Sequence, residues 1–209
     1  VVISNAGSFY FDFAHEKHPE EPGMYWGGFV SIRAPFEFLP YDLYTSADVD
    51  LMGRPLSETA YLRAERLTLA GREHLLGLQG QLWGETIDSP ERIDYMLFPR
   101  LLSLAERAWA ARPQWAMIEN EARRSTALEN DWNRFANALG QRELPRLDHL
   151  HGGVHYRIPP PGAVIENGVL KANVALPGLT IRYTTDGSEP TVNAMRYSCL
   201  LYTSDAADE

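Results

Sequence analysis

Leu75-Leu76-Gly77-Leu78-Gln79-Gly80-Gln81-Leu82-Trp83, then Gly84-Glu85-Thr86, then Ser89-Pro90-Glu91, is the stretch from which the fold is read. Its apolar run, taken from His74 to Trp83, predicts a strand, and Gly84-Glu85-Thr86 predicts a polar turn. Ser89 is placed to cap a following helix, Pro90 has φ already set for the first position, and Glu91 favours the positive end of the helix dipole. Ile93, Leu97, Leu101, Leu104 and Ala108 then recur at helical spacing, which predicts one inward stripe with Arg92, Arg100, Glu106 and Arg107 facing out. Pro99 predicts a kink in that helix. A second helix is expected over about 117–139, with Ile118, Leu128, Trp132, Phe135 and Leu139 on its apolar face and Arg123 and Arg124 in solvent. Upstream, Val1-Val2-Ile3-Ser4 reads as a short buried strand already in progress, so the chain is expected to be a piece of a longer one. Strand, loop, strand and helix in this rhythm indicate a parallel α/β architecture, in which sites form where strands hand over to loops.

The 209 residues are 44% hydrophobic and 22% charged, the balance of a chain able to bury a core. A formal net charge of -9 leaves no basic stripe to neutralise phosphates, which argues against nucleic acid and anionic membrane as partners. No window approaches the ~20 consecutive apolar residues of a membrane span.

Beyond about residue 156 the character changes to turns and short alternating strands. Pro159-Pro160-Pro161-Gly162 is followed by Val169 to Ala175, Pro177-Gly178, Thr180-Ile181-Arg182-Tyr183-Thr184 and Asp186-Gly187, which are hairpin signals at sandwich spacing. About four strands at most fit there, against roughly seven in an immunoglobulin-like sandwich, so this second domain is expected to be truncated. The tail from Cys199 to Glu209 resembles read-through translation of a sequencing-library adapter and is set apart from the native chain. On that reading no cysteine is native, and disulfide and thiolate chemistry drop out.

Two predicted strand ends carry unusual residues: Ser8-Phe9-Tyr10-Phe11-Asp12 with Trp26 a short way on, and Leu82-Trp83-Gly84-Glu85. A tryptophan beside a carboxylate suits a pyranose, whose CH face stacks on an aromatic while its hydroxyls seek strong acceptors. A tryptophan at a strand end also serves as plain core, and Asp12 as a cap. His149, His151 and His155 crowd one segment, but their spacing is that of a loop and no metal site is assigned; they are read as lining a domain junction. His15-Glu16-Lys17-His18 lacks the helical two-histidine spacing of a zinc protease and is read as a surface loop.

Several motifs in order carry a resemblance: Tyr10-Phe11-Asp12-Phe13, Pro22-Gly23-Met24-Tyr25-Trp26, Gln81-Leu82-Trp83-Gly84-Glu85, Tyr95-Met96-Leu97-Phe98-Pro99-Arg100 and Leu104-Ala105-Glu106-Arg107-Ala108-Trp109. Asp131-Trp132-Asn133-Arg134-Phe135-Ala136, Leu139-Gly140-Gln141-Arg142-Glu143-Leu144, Gly152-Gly153-Val154-His155-Tyr156-Arg157 and Leu176-Pro177-Gly178 continue it. Together they resemble the bacterial chitobiases of glycoside hydrolase family 20. The resemblance implies an α/β chain made of the C-terminal part of a (β/α)8 barrel with its following helices, over 1–155, and a truncated immunoglobulin-like β-sandwich domain over 156–198. It also implies a retaining, substrate-assisted hydrolysis of terminal β-N-acetylhexosaminides such as chitobiose and chito-oligosaccharides, with no cofactor, in the periplasm or outside a bacterium.

By that resemblance Tyr10 orients the acetamido group of the substrate. Trp83 walls the acetamido pocket, Glu85 binds the outer hydroxyls, Asp12 lies near the O6 end and Trp26 stacks the next sugar. The family's adjacent Asp-Glu pair, which supplies the general acid, has no counterpart in context: Glu20-Glu21, Asp48-Val49-Asp50 and Ala207-Asp208-Glu209 follow no barrel-type strand. The chain by itself is therefore expected to be inactive. Two other readings stay open, a different (β/α)8 glycosidase and a non-catalytic carbohydrate-binding protein.

Overall fold

A computed structural model describes residues 1–44, 54–57, 61 and 63–198, together with the backbone of Leu201 and Tyr202. Asp48-Val49-Asp50 and, apart from that backbone, the tail set apart from Cys199 onward lie outside the described residues. The chain forms two units, Val1–Trp132 with Leu150–Arg157, and Asn133–His149 with the chain from Ile158 onward.

In the first unit β1 (Val2–Ile3) pairs in parallel with β2 (Gly77–Leu78). The strand expected over 74–83 is thus much shorter. It nevertheless continues as a ladder: Gln79 N–H donates to the Ile3 carbonyl at 2.9 Å, Gln81 N–H to Phe9 at 2.9 Å and Phe11 N–H to Gln81 at 2.7 Å. Between Ile3 and Phe11 the chain turns through a short helix, α1 (Ala6–Phe9), so Ser8 to Asp12 leave a helical turn and not a strand end. Val1 and Val2 are 72% and 47% exposed, contrary to the buried strand expected there.

Phe9, Phe11, Phe13, Val30, Phe38 and Leu104 form the buried core, with Ile3, Leu78, Leu82, Leu97 and Leu101 packed against it. Aromatic edges interlock inside it, the Phe9 and Phe38 rings meeting edge-on at 4.6 Å. Over the core lie α2 (Ala34–Glu37), α4 (Pro90–Leu97) and α5 (Arg100–Trp109), and α3 (Leu69–Glu73) leads into β2. The α4 start is as the residues dictate: the Ser89 hydroxyl accepts the Arg92 N–H at 3.1 Å with Pro90 in the first turn. Pro99 breaks the helix where a kink was expected. Phe98 is extended (φ -103°, ψ 141°), as the residue before proline prefers to be, and the Phe98-Pro99 peptide is cis.

The buried stripe is the expected one only in part, through Leu104 with Leu97 and Leu101 beside it. On α5 it is Arg100, Ser103, Leu104 and Arg107, while Ile93 and Ala108 are exposed. Those four positions have the same helical spacing as the apolar set, turned partly around the axis. The interior there is lined by carbonyl groups that need donors, and arginine supplies them: the Arg107 Nε donates to the Phe36 carbonyl at 3.0 Å.

The next helix, α6 (Glu121–Ala138), starts later than the expected 117 because the Asn120 side chain accepts the Arg123 N–H at 3.0 Å and caps it. Ile118 precedes it. In the second unit the helix runs on through a π-turn, Leu139–Glu143, into α7 (Leu144–Leu147). There β3 (Gly162–Glu166), β4 (Val169–Asn173) and β7 (Leu201–Tyr202) form one antiparallel sheet, and β5 (Arg182–Tyr183) and β6 (Met195–Arg196) form another. Before Cys199 the described strands number four, as many as were expected to fit, and β7 lies within the tail that was set apart. The hairpin from β3 to β4 turns at Asn167-Gly168, both at positive φ (53° and 72°), the geometry that an Asn-Gly pair adopts most readily. The Tyr197 hydroxyl accepts the Ala172 N–H at 3.0 Å and donates to the Leu170 carbonyl at 3.3 Å, tying its segment to β4.

Candidate functional site

The parallel bridge between Tyr10 and Gln81 brings the two motif-bearing segments together. It sets Tyr10-Phe11-Asp12 alongside Gln81-Leu82-Trp83, and Trp83 then caps a 3-10 turn, Gly84–Thr86, that carries Glu85. Gly80 lies opposite Phe11 with no room for a side chain: a Cβ there would stand 2.7 Å from the Phe11 ring. Close approach of the Phe11 ring to the Gly80 backbone therefore favours glycine at that position.

The Tyr10-Phe11-Asp12-Phe13 segment is built inside out. Phe11 and Phe13 are each 1% exposed, Tyr10 is half-buried, and Asp12 is 3% exposed. Asp12 Oδ1 is buried with no hydrogen-bond partner. Burial raises the Asp12 pKa above the ordinary carboxylate value and the nearby Glu85 charge raises it further. The backbone N–H groups of Asp12 and Trp83 and the Arg100 guanidinium pull in the other direction. Asp12, Trp83 and Glu85 thus sense one another electrostatically across the two segments.

Trp26 reaches the same neighbourhood through Phe13. Its indole meets the Phe13 ring edge-on at 5.0 Å, and the Phe13 ring is 5.6 Å from that of Tyr10. Trp26 is 61% exposed and Trp83 52% exposed, so neither is core. The turn before Trp26 is fixed by Gly23 at φ 119°, where an added Cβ would sit 2.7 Å from the Ala14 nitrogen and 2.8 Å from the Asp12 carbonyl oxygen.

Behind this surface lies Arg100, which the sequence reading placed in solvent. It is fully buried and its guanidinium donates only to backbone carbonyls: Phe13 at 2.8 Å, Val30 at 2.9 Å, Phe11 at 2.7 Å, and Met96 through Nε at 3.1 Å and again through a terminal nitrogen. Burial lowers its pKa to about 9, the neighbouring Arg157 charge adding to the effect, so it keeps its charge at neutral pH. The signal that finds it is the spacing of Arg100, Ser103, Leu104 and Arg107.

His15 is also buried (3% exposed), a correction to the surface loop expected there. Its Nε2 lies 3.3 Å from the Tyr95 carbonyl, and burial with the charges of Arg100 and Arg157 drives its pKa down, holding it neutral. Glu16, Lys17 and His18 are exposed. Arg157 grips Glu21 with two hydrogen bonds, 2.8 and 2.7 Å, and also binds Glu16, while the Tyr95 hydroxyl donates to Glu21 at 3.1 Å. Glu21 is therefore engaged as an anchor for the loop leading to Trp26. His149, His151 and His155 are exposed, and among the described residues no three metal-ligating side chains cluster.

Residues 1–112 match the glycosyl hydrolase family 20 catalytic domain, and residues 143–199 match the chitobiase/beta-hexosaminidase C-terminal domain. The chain belongs to glycosyl hydrolase family 20. This family 20 chain is 37% identical over 202 residues to an N,N'-diacetylchitobiase of Vibrio harveyi, covering 90% of the chain and 21% of that relative. It is 32% identical over 207 residues to a beta-hexosaminidase of Vibrio vulnificus, covering 90% and 23%. A crystal structure of a family 20 exo beta-N-acetylglucosaminidase from Vibrio harveyi in complex with N-acetylglucosamine matches at 27% identity with a TM-score of 0.44, over 75% of the chain and 18% of that structure. The family 20 chain thus spans about a fifth of the length of the curated relatives it matches.

Proposed function

We propose that the whole protein is a retaining, substrate-assisted exo-β-N-acetylhexosaminidase acting on chitobiose and chito-oligosaccharides, and that these residues form part of its sugar site. The observation that carries this is the Tyr10–Gln81 bridge, which joins the Tyr10-Phe11-Asp12 and Trp83-Gly84-Glu85 motifs in one place. On this reading the first unit is the C-terminal part of a (β/α)8 barrel, the strands near the C-terminus belong to an immunoglobulin-like domain, and the protein works in the periplasm or outside the cell.

In the proposed reaction the 2-acetamido oxygen of the substrate attacks the anomeric carbon as the bond to the leaving oxygen breaks, giving an oxazolinium ion that water then opens. The Tyr10 hydroxyl donates to the acetamido oxygen and holds it in line. Trp83, half in solvent, is available to close over the acetamido group and exclude water. Asp12, with a buried oxygen lacking a partner, and the exposed Glu85 accept sugar hydroxyls, which supply the missing donors. Trp26 presents the exposed aromatic face for the following sugar. No carboxylate in these residues is assigned as the acid that protonates the leaving oxygen.

Hydrolysis of an aryl N-acetyl-β-glucosaminide by the whole protein, with none of the corresponding aryl β-glucoside, tests the reading. Retention of anomeric configuration in the first product, followed by NMR, tests the mechanism. Equal turnover of both glycosides points instead to a different glycosidase, and binding without turnover to a carbohydrate-binding protein. The 209-residue chain alone is expected to release no N-acetylglucosamine, and measurable release would show that its own carboxylates suffice.

A further inference from the structure

We propose that Arg100 is a positioning residue for the sugar site, a guanidinium clamp that fixes the backbone carrying Tyr10, Asp12 and Phe13. The ligand in question rests on the function proposed above; the clamp itself is read from geometry.

A buried arginine ordinarily meets a carboxylate, but the hydrogen bonds of this one go to carbonyl oxygens of four separate residues. Two of them, Phe11 and Phe13, flank Asp12. Phe11 and Asp12 lie in a turn closed by the Phe13 N–H, which donates to the Tyr10 carbonyl at 3.2 Å, and the carbonyls on either side of Asp12 are both taken by the same planar fork. The Asp12 carbonyl accepts the Met24 N–H at 2.7 Å, and the Met24 carbonyl in turn accepts the Ala14 N–H at 2.8 Å. The segment is therefore held by a guanidinium at residues 11 and 13 and by the Gly23-Met24 turn at residue 12.

What the clamp holds is the support of the site. Phe13, whose carbonyl receives a guanidinium N–H, also places its ring against both Tyr10 and Trp26. A shift of Phe13 would carry to Tyr10, Asp12 and Trp26 together. The fork geometry is specific to arginine, since an ammonium at the end of a lysine stem is a compact donor and does not span carbonyls on three sides. The guanidinium carbon also lies 5.2 Å from the centre of the Phe11 ring, so one side of the fork is packed against the residue it binds.

The test uses the whole protein carrying Arg100→Lys, with Arg100→Met as a harsher variant that risks failing to fold. Assayed well below its melting temperature on an aryl N-acetyl-β-glucosaminide, Arg100→Lys is expected to lower kcat by about 100-fold, the scale on which a small misplacement of reacting groups acts. Combined with Tyr10→Phe, the double variant is expected to fall within about 3-fold of Tyr10→Phe alone, because both changes remove the same alignment. Losses that simply multiply would overturn the proposal. Hydrogen exchange gives a readout independent of turnover: the Phe11, Ala14 and Met24 amides should exchange at least about 10-fold faster in Arg100→Lys while those of α6 are unchanged. Uniform acceleration would reduce Arg100 to general stability, and no acceleration would remove the clamp. If the unsubstituted protein proves inactive, the functional reading falls and the exchange measurement still decides the role of Arg100.

Discussion

Gly140 and Pro177 approach so closely that a Cβ added to the glycine would stand 1.9 Å from the proline carbonyl oxygen. Leu139 and Leu176, beside them, are 1% and 0% exposed. The π-turn at Leu139–Glu143 and the turn closed by Gly178, at φ 99°, meet backbone to backbone. Gly140→Ala must displace a carbonyl with no flexible side chain to absorb the shift. A loss of about 3 kcal/mol in the unit carrying β3 to β6 is expected. Scanning calorimetry of the whole protein should show the transition of that unit lowered and the other unchanged.

Arg157 and Glu21 form the best-buried ion pair described in the first unit, with side chains 6% and 5% exposed, whereas Glu16 is 46% exposed. Arg157→Met leaves the Glu21 carboxylate buried beside only the Tyr95 hydroxyl, and a loss of roughly 3–5 kcal/mol is expected. Glu16→Gln removes a half-solvated partner and should cost less than about 1 kcal/mol. Urea titration of the two variants separates these outcomes, and equal losses would contradict the assignment of Glu21 as the anchor.

Asp12 supplies a pH signature. Its folded-state pKa lies above the ordinary carboxylate value, mainly through burial, so the folded protein holds this proton more tightly than the unfolded chain does. Its contribution is most favourable below the unfolded value and declines as pH rises through the folded one. Asp12→Asn removes that decline. The melting temperature of Asp12→Asn relative to the unsubstituted protein should therefore be higher at pH 7 than at pH 4, and the reverse ordering would mean that Asp12 finds a stabilising partner in the ionised form.

Trp26 and Tyr10 should separate kinetically. On the proposed function, Trp26→Ala removes an exposed aromatic face from the second sugar, so KM for chitobiose should rise about 10-fold, with a small change on an aryl glycoside lacking that sugar. On the same proposal Tyr10→Phe removes a donor to the reacting acetamido oxygen and should lower kcat on both. A KM effect of Trp26→Ala that is the same on both substrates would place Trp26 elsewhere than under the second sugar.

Short-range chemistry was the most legible part of the sequence. Ser89-Pro90 marked the start of α4 because a side-chain acceptor and a preset φ act locally, and the Gly84-Glu85-Thr86 turn was visible as a similarly local signal. Asn167-Gly168 carried an equally local signal that was passed over. The extents of the strands were not legible, since ladder partners are set by tertiary contacts: Gln81 bonds to Phe9 and Phe11 across seventy residues. On α5 Leu104 is buried and Leu101 packs against the core, as the apolar spacing indicates, but Arg100 and Arg107 turn inward beside them. A hydrophobic stripe does not find buried donors, and beside the apolar core lie main-chain carbonyls that accept from Arg100 and Arg107. For the proposed site, Tyr10, Asp12, Trp26, Trp83 and Glu85 were named from their residue types and motifs, while the bridge that sets the Tyr10 and Gln81 segments side by side and the guanidinium behind them were not legible.

The Arg100 contacts are made to main-chain oxygens, and every amino acid presents the same oxygen. The identities of Phe11, Phe13, Val30 and Met96 can therefore be varied for packing without altering the hydrogen-bonding partners offered to the guanidinium. For anyone redesigning the aromatic surface of the proposed sugar site, this separates two handles: side chains at those positions tune volume, and the guanidinium binds the main chain whatever they are.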